Sequence, residues 1–149
     1  MELILWRHAQ AENGFPDSAR RLTHKGEDQA RRMAAWLGPR LPEHCRILVS
    51  PSTRTLATVA PLGRPFETRP ELGPGAGVED LPAAARWPDR GGTALIVGHQ
   101  PTLGAVAARL LAGEDTSFRV RKGAVWWFAT ISTTQVDAWL RLVIGPDQI

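Results

Sequence analysis

The chain has 149 residues, 43% of them hydrophobic and 22% charged, with a formal net charge of +3. That length suits one domain spanning 1–149 with its own core, while a single cysteine rules out an internal disulfide and any cysteine-built metal or iron–sulfur centre. The positive residues are arginines apart from Lys25 and Lys122, and they are scattered rather than gathered in a run, so no nucleic-acid partner is expected.

In chain order the pattern alternates strand and helix. Leu3 to Trp6 is a short continuous apolar run, the mark of a strand buried on both faces. Thr23 to Leu37 turns helical, with Ala30, Met33, Ala34 and Leu37 at spacings of three and four and Gly38-Pro39 as the stop. Cys45 opens the next apolar run, Ile47 to Val49, and reads as a small core residue. A helix is predicted over Thr53 to Leu62, a short strand over Phe66 to Arg69, and a loop at GPGAG (73–77). A helix follows over Val78 to Trp87, with Pro82 tolerable only near its first turn. TALIV (93–97) is the clearest strand, and Leu103 to Leu111 the last helix. Ala124 to Ile131 and Val136 to Ile144, separated by STTQ (132–135), read as a β-hairpin in which Trp126 and Trp127 point to opposite faces, one to the core and one under a helix. The class is therefore α/β, a three-layer α/β/α sandwich with a mostly parallel central sheet and an antiparallel contribution near the C-terminus. No signal-peptide pattern and no apolar run of membrane-spanning length is present, so the expectation is a cytoplasmic protein with no membrane partner.

Sites in such sheets form outside the carboxyl ends of the strands. Arg7-His8 leaves the first strand there, Ser50 and Arg54 follow the second, and His99 follows TALIV. The planar fork of arginine matches phosphoryl oxygens. A neutral imidazole can attack phosphorus, and neighbouring guanidiniums keep it neutral while offsetting charge on the transferred group. Two histidines without HxH or HExxH spacing lack a third ligand, so neither a metal nor another cofactor is expected.

Four ordered blocks, RHAQAE (7–12), RRLTHKGEDQA (20–30), SPSTRTLAT (50–58) and VGHQPTLG (97–104), resemble the histidine phosphatase superfamily with its phosphoglycerate mutase-like fold, and most of all its SixA-type phosphohistidine phosphatases. The resemblance implies His8 as the nucleophile that is transiently phosphorylated, Arg7 and Arg54 as phosphate ligands, and His99, as a protonated ring, donating from the opposite side. It adds Arg20 as a further phosphate-pocket residue. Ser50 and Gln100 fit either the pocket rim or turn and capping positions. Ala9 stands where many relatives carry glycine, and its methyl would limit approach of that backbone to phosphate.

The general acid that mutases and many broad phosphatases place after the third strand has no counterpart in RPELGPGAGVED (69–80), where only Glu71 and Glu79 offer themselves, and Glu79-Asp80 equally suits a helix N-terminus. An alkoxide leaving group needs a proton from a positioned acid; an imidazole leaving from a phosphoramidate does not. The reading is thus a phosphatase acting on a phosphohistidine-bearing protein through His8. The alternatives are a small-molecule phosphomonoesterase using Glu71 or Glu79, and a non-catalytic phosphate- or nucleic-acid-binding module.

Overall fold

Leu3, Ile4, Leu5 and Trp6 are all fully buried, but they serve two different cores. Leu3 and Leu5 face one side of the sheet, Ile4 and Trp6 the other, as the two-residue period of a strand requires when both faces are covered. The computed structural model describes residues 1–131 and 137–149. Its strands are β1 (Glu2–Arg7), β2 (Arg46–Val49), β3 (Glu67–Thr68), β4 (Thr93–Gly98), β5 (Val125–Ala129) and β6 (Trp139–Ile144), in the sheet order β3-β2-β4-β1-β5-β6. The first four in that order are parallel; β5 pairs antiparallel with β1, and β6 antiparallel with β5.

Among the described residues four α-helices cover the sheet: α1 (His24–Leu37), α2 (Thr53–Val59), α3 (Asp80–Ala85) and α4 (Thr102–Ala112). Met33, Ala34 and Leu37 of α1 and Val59 of α2 pack with Ile4, Trp6, Leu95 and Val97. Leu81 and Ala85 of α3 and Leu103, Val106 and Ala107 of α4 pack with Leu3, Leu5 and Ile96 on the opposite face. Each fully buried aliphatic side chain is worth about 1.5–3 kcal/mol of transfer free energy, and these two clusters bind the three layers together.

Local chemistry adjusts several predicted boundaries. Thr23 caps α1 by accepting the Gly26 N–H at 2.9 Å. The helix after β2 stops as an α-helix at Val59 and ends in one 3₁₀ turn over 60–62, since Pro61 has no N–H to donate. The predicted Val78–Trp87 helix contracts to Asp80–Ala85: the Asp80 carboxylate accepts the Gly77 N–H at 2.7 Å, and Arg86 leaves in the left-handed region at φ 55°. The short third strand is only Glu67–Thr68. Cys45 is half-buried rather than in the core proper, and burial pushes its thiol up to about 11, so it is no nucleophile. Trp127 is core, and Trp126 is half-buried, stacking between Phe118 and Phe128 and packing against the cluster that holds Leu103, Val106 and Ala107 of α4. STTQ (132–135) lies outside the described residues.

Candidate active site

The neighbouring parallel strands β2, β4 and β1 end on the same edge. Ladder bonds continue one residue past them: the His8 N–H donates to the Gly98 carbonyl at 3.1 Å, and the Ser50 N–H to the Val97 carbonyl at 3.1 Å. His8, Ser50 and His99 are thereby set side by side on rigid backbone. The two imidazole rings lie 5.4 Å apart, tilted by 53°. Arg54 enters from the first turn of α2, almost wholly buried.

Hydrogen bonds decide which nitrogens are free. His8 Nδ1 lies 2.7 Å from the Ala9 carbonyl oxygen. A carbonyl can only accept, so Nδ1 carries the proton and Nε2 keeps its lone pair. His99 Nε2 lies 2.8 Å from the Ser50 hydroxyl. Arg7 donates to the Val120 carbonyl at 2.9 Å; Arg54 donates to the Asp17 carbonyl at 2.8 Å and to its carboxylate at 3.0 Å. Arg7 Nε, Arg54 Nε and His99 Nδ1 are buried without a partner; among the described residues the only other such side-chain atom is Trp87 Nε1. An unsatisfied buried donor costs about 1–3 kcal/mol. The two guanidinium N–H groups, and His99 Nδ1 in the tautomer that protonates it, form a cradle near His8 that an oxyanion would satisfy.

The same groups tune the imidazoles. Burial, then the charges of Arg54, Arg7 and Arg20, push His8 down to about 4 against the opposing Ala9 hydrogen bond. Burial, Arg54 and His8 bring His99 down to about 3. Both rings are neutral at pH 7, so in the unliganded site His99 is not the protonated ring the resemblance suggested. Burial alone disfavours its charged form, and Arg54 adds to it.

The other predicted residues divide. Arg20 joins the site through Asp17, donating to its carboxylate at 3.1 Å and to the Glu12 carbonyl at 2.7 Å. These two arginines hold the Asp17 carboxyl below its usual range. Ser50 touches His99 directly. Gln100 is turned away from the anion cradle: its amide donates to the Phe118 carbonyl at 2.9 Å and accepts the Gly104 N–H at 2.7 Å, so it is a clamp on the loop after α4. Glu71 is exposed and paired with Arg69, its carboxyl held low by its own backbone N–H and then by Arg69; Glu79 is exposed and paired with Arg109 at 3.2 Å. Glu71 is therefore held ionised, the opposite of what a general acid needs at neutral pH. The Ala9 methyl does not narrow the pocket: the residue is fully buried in a small cluster with Leu22 and Ala30.

Sequence reasoning missed two residues. Asp17 bridges Arg20 and Arg54, and only its i, i+3 spacing to Arg20 hinted at a pairing. Thr58 accepts the Ala9 N–H at 3.0 Å and donates to the Arg54 carbonyl at 2.7 Å, tying two blocks together. The glycines of the blocks are also explained. A Cβ on Gly26 would lie 1.9 Å from the Gln10 carbonyl oxygen, and one on Gly104 1.9 Å from that of Phe118. Among the described residues no group of three or more histidine, cysteine or carboxylate side chains is placed to hold a metal ion, and no helix is long and apolar enough to cross a membrane.

Comparison with known proteins identifies the family. Residues 3–75 match the model of the histidine phosphatase superfamily, branch 1. The chain is 34% identical over 123 residues to the phosphohistidine phosphatase SixA of Escherichia coli (strain K12), covering 76% of each chain. The structure of the protein histidine phosphatase SixA complexed with tungstate superposes with a TM-score of 0.85 at 28% identity, covering 99% of both chains. A SixA structure from Nakamurella multipartitia gives 0.82 at 30% identity, covering 97% of this chain and 95% of that one. The chain therefore belongs to the histidine phosphatase superfamily.

Proposed function

We propose that this protein removes the phosphoryl group from phosphohistidine on another protein, through a covalent intermediate on His8. The observation that carries the reading is the set of buried, unpartnered nitrogens, two guanidinium N–H groups at Arg7 and Arg54 and the His99 Nδ1, beside His8 with its Nε2 lone pair. In the first step Nε2 forms a bond to phosphorus as the substrate's P–N bond breaks. The leaving imidazole retains the bonding electron pair and takes its proton from solvent. The positive charge that develops on the His8 ring is shared with the Ala9 carbonyl through Nδ1–H. The guanidiniums neutralise charge on the equatorial oxygens. Water then attacks phosphorus, the P–Nε2 pair returns to the ring, and phosphate leaves.

The substrate class is supported by the chemistry of the candidate acids. The two carboxylates that would serve as acids, Glu71 and Glu79, are exposed and paired with Arg69 and Arg109. A phosphoramidate needs less from such an acid than an ester does, and the E. coli relative at 34% identity is named a phosphohistidine phosphatase.

Incubation with a ³²P-phosphohistidine protein and rapid acid-free quenching will place label on His8. His8→Ala will lose the label and at least about a thousandfold in turnover. Retention of turnover by that variant would refute the mechanism. Faster hydrolysis of phosphate esters than of phosphohistidine would refute the substrate class.

A further inference from the structure

Beside the phosphoryl site runs a second feature that the reaction does not use, an open cleft of about 490 Å³ that shares Arg7 with it. One wall is a single face of α1: Lys25, Asp28, Gln29 and Arg32 recur at spacings of three, four and seven. The other wall is the segment after α4, carrying Arg119, Arg121 and Lys122. That segment is pinned to the catalytic strand. The Val120 carbonyl holds Arg7, the Gly123 carbonyl accepts the Trp6 indole N–H at 3.1 Å, and the Gly123 N–H donates to the His8 carbonyl at 3.1 Å. Its cations therefore stand at a fixed place relative to His8.

Six cations line the cleft against two carboxylates, Asp28 and Asp147. Arg121 pairs with Asp147 at 3.0 Å, and Arg32 approaches Asp28 at 3.9 Å. Among the described residues no carboxylate lies within ion-pair distance of Lys25, Arg119 or Lys122, all exposed. Seven residues of helix separate Lys25 from Arg32, about 10 Å of rise. Cations strung over that length do not converge on one oxyanion. They match carboxylates spaced along a chain. The interposed Asp28 and Asp147 would repel an unbroken phosphate backbone, which disfavours nucleic acid.

Building on the phosphohistidine-protein reading above, we propose that this cleft docks an acidic segment flanking the phosphohistidine of the substrate protein. Opposite charges would accelerate encounter and hold the segment while Arg7, common to both sites, engages the phosphoryl group.

The probes are two synthetic phosphohistidine peptides, one with four Asp or Glu residues beside the histidine and one with Asn and Gln in their place. At low ionic strength the acidic peptide should show a KM about tenfold lower, with kcat unchanged, and the advantage should shrink as salt is raised. In an Arg119→Glu/Lys122→Glu double variant, its thermal unfolding matched to the parent, the KM ratio of the two peptides should fall to about one. Equal KM values in the parent, or a ratio the double variant preserves, would overturn the docking proposal while leaving the phosphatase reading intact. If neither peptide is hydrolysed, the phosphatase reading fails, and the cleft is decided by binding of the unphosphorylated acidic peptide. Binding about tenfold weaker to the double variant supports docking; equal binding refutes it. Tighter binding of a single-stranded oligonucleotide of matched charge would assign the cleft to nucleic acid and overturn the proposal.

Discussion

His99 Nε2 faces the Ser50 hydroxyl at 2.8 Å while Nδ1 of the same ring is buried without a partner. A neutral His99 can donate to an anion through Nδ1 only if Nε2 accepts the Ser50 proton, and Ser50 is placed to give it. Ser50→Ala is expected to lower kcat about tenfold, the worth of one hydrogen bond of about 1.4 kcal/mol, with little change in KM. Nitrogen chemical shifts of His99 should move from one tautomer to a mixture. Unchanged shifts and unchanged kcat would remove Ser50 from the mechanism.

Asp17 occupies two N–H groups of Arg54 with its carbonyl and carboxylate. Its negative charge repels an incoming phosphoryl dianion even as its hydrogen bonds hold the guanidinium in place. Asp17→Asn keeps a hydrogen-bonding side chain and removes the charge. Inorganic phosphate should inhibit this variant more strongly, by a few-fold, as expected for about 1 kcal/mol of relieved repulsion. Weaker inhibition would mean that Asp17 serves chiefly to position Arg54.

The depressed histidines set the pH behaviour. His8 at about 4 and His99 at about 3 are neutral above pH 5, so kcat/KM should lack an enzyme-derived step near 6.5 and fall only as pH approaches 4. The sign for stability follows from proton uptake. Between the unfolded histidine value of about 6.5 and the folded values, the unfolded chain binds more protons, so stability rises with pH across that window. It is complete above pH 6.5 and lost as pH falls towards 4 and then 3. Urea titrations at pH 7 and pH 5 should show the drop, and His8→Ala should reduce it. A pH-independent midpoint would contradict the buried neutral state.

Gly104 and the Phe118 carbonyl are in contact so close that an added methyl must displace backbone. Gly104→Ala should destabilise by about 1–3 kcal/mol, lowering Tm by several degrees. Because the displaced loop carries Val120, the carbonyl that holds Arg7, phosphate affinity should fall as well. A variant with unaltered Tm would show that the loop yields without cost.

The alternation of apolar runs and helical faces was readable because each element's own residues carry its period. Leu3 to Trp6 declares a doubly covered strand by composition alone, and Ala30, Met33, Ala34 and Leu37 declare an amphipathic helix. Two boundaries slipped for local reasons: Pro61 has no N–H to donate, and the Asp80 carboxylate bound to the Gly77 N–H and the left-handed Arg86 bracket the third helix. Arg7, His8, Arg54 and His99 stood out because each follows a strand whose end must open on the same edge.

Asp17, Thr58 and the 119–122 segment carried no such signal. Asp17 lies in an exposed turn, and its pairing with Arg54 spans 37 positions. Thr58 is one of several threonines on a short helix, and only the packing of α2 against the backbone of Ala9 makes it a bridge. The cations of the cleft looked scattered along the chain because they belong to α1 and to a loop about a hundred residues later. Chain order and local pattern thus determined the elements and the family blocks, since strand period, capping and turn chemistry are properties of neighbours. Which tautomer each histidine holds, which carboxylate touches the arginines, and where the cations gather were decided only by tertiary structure. Burial and long-range hydrogen bonds come into being when distant segments meet.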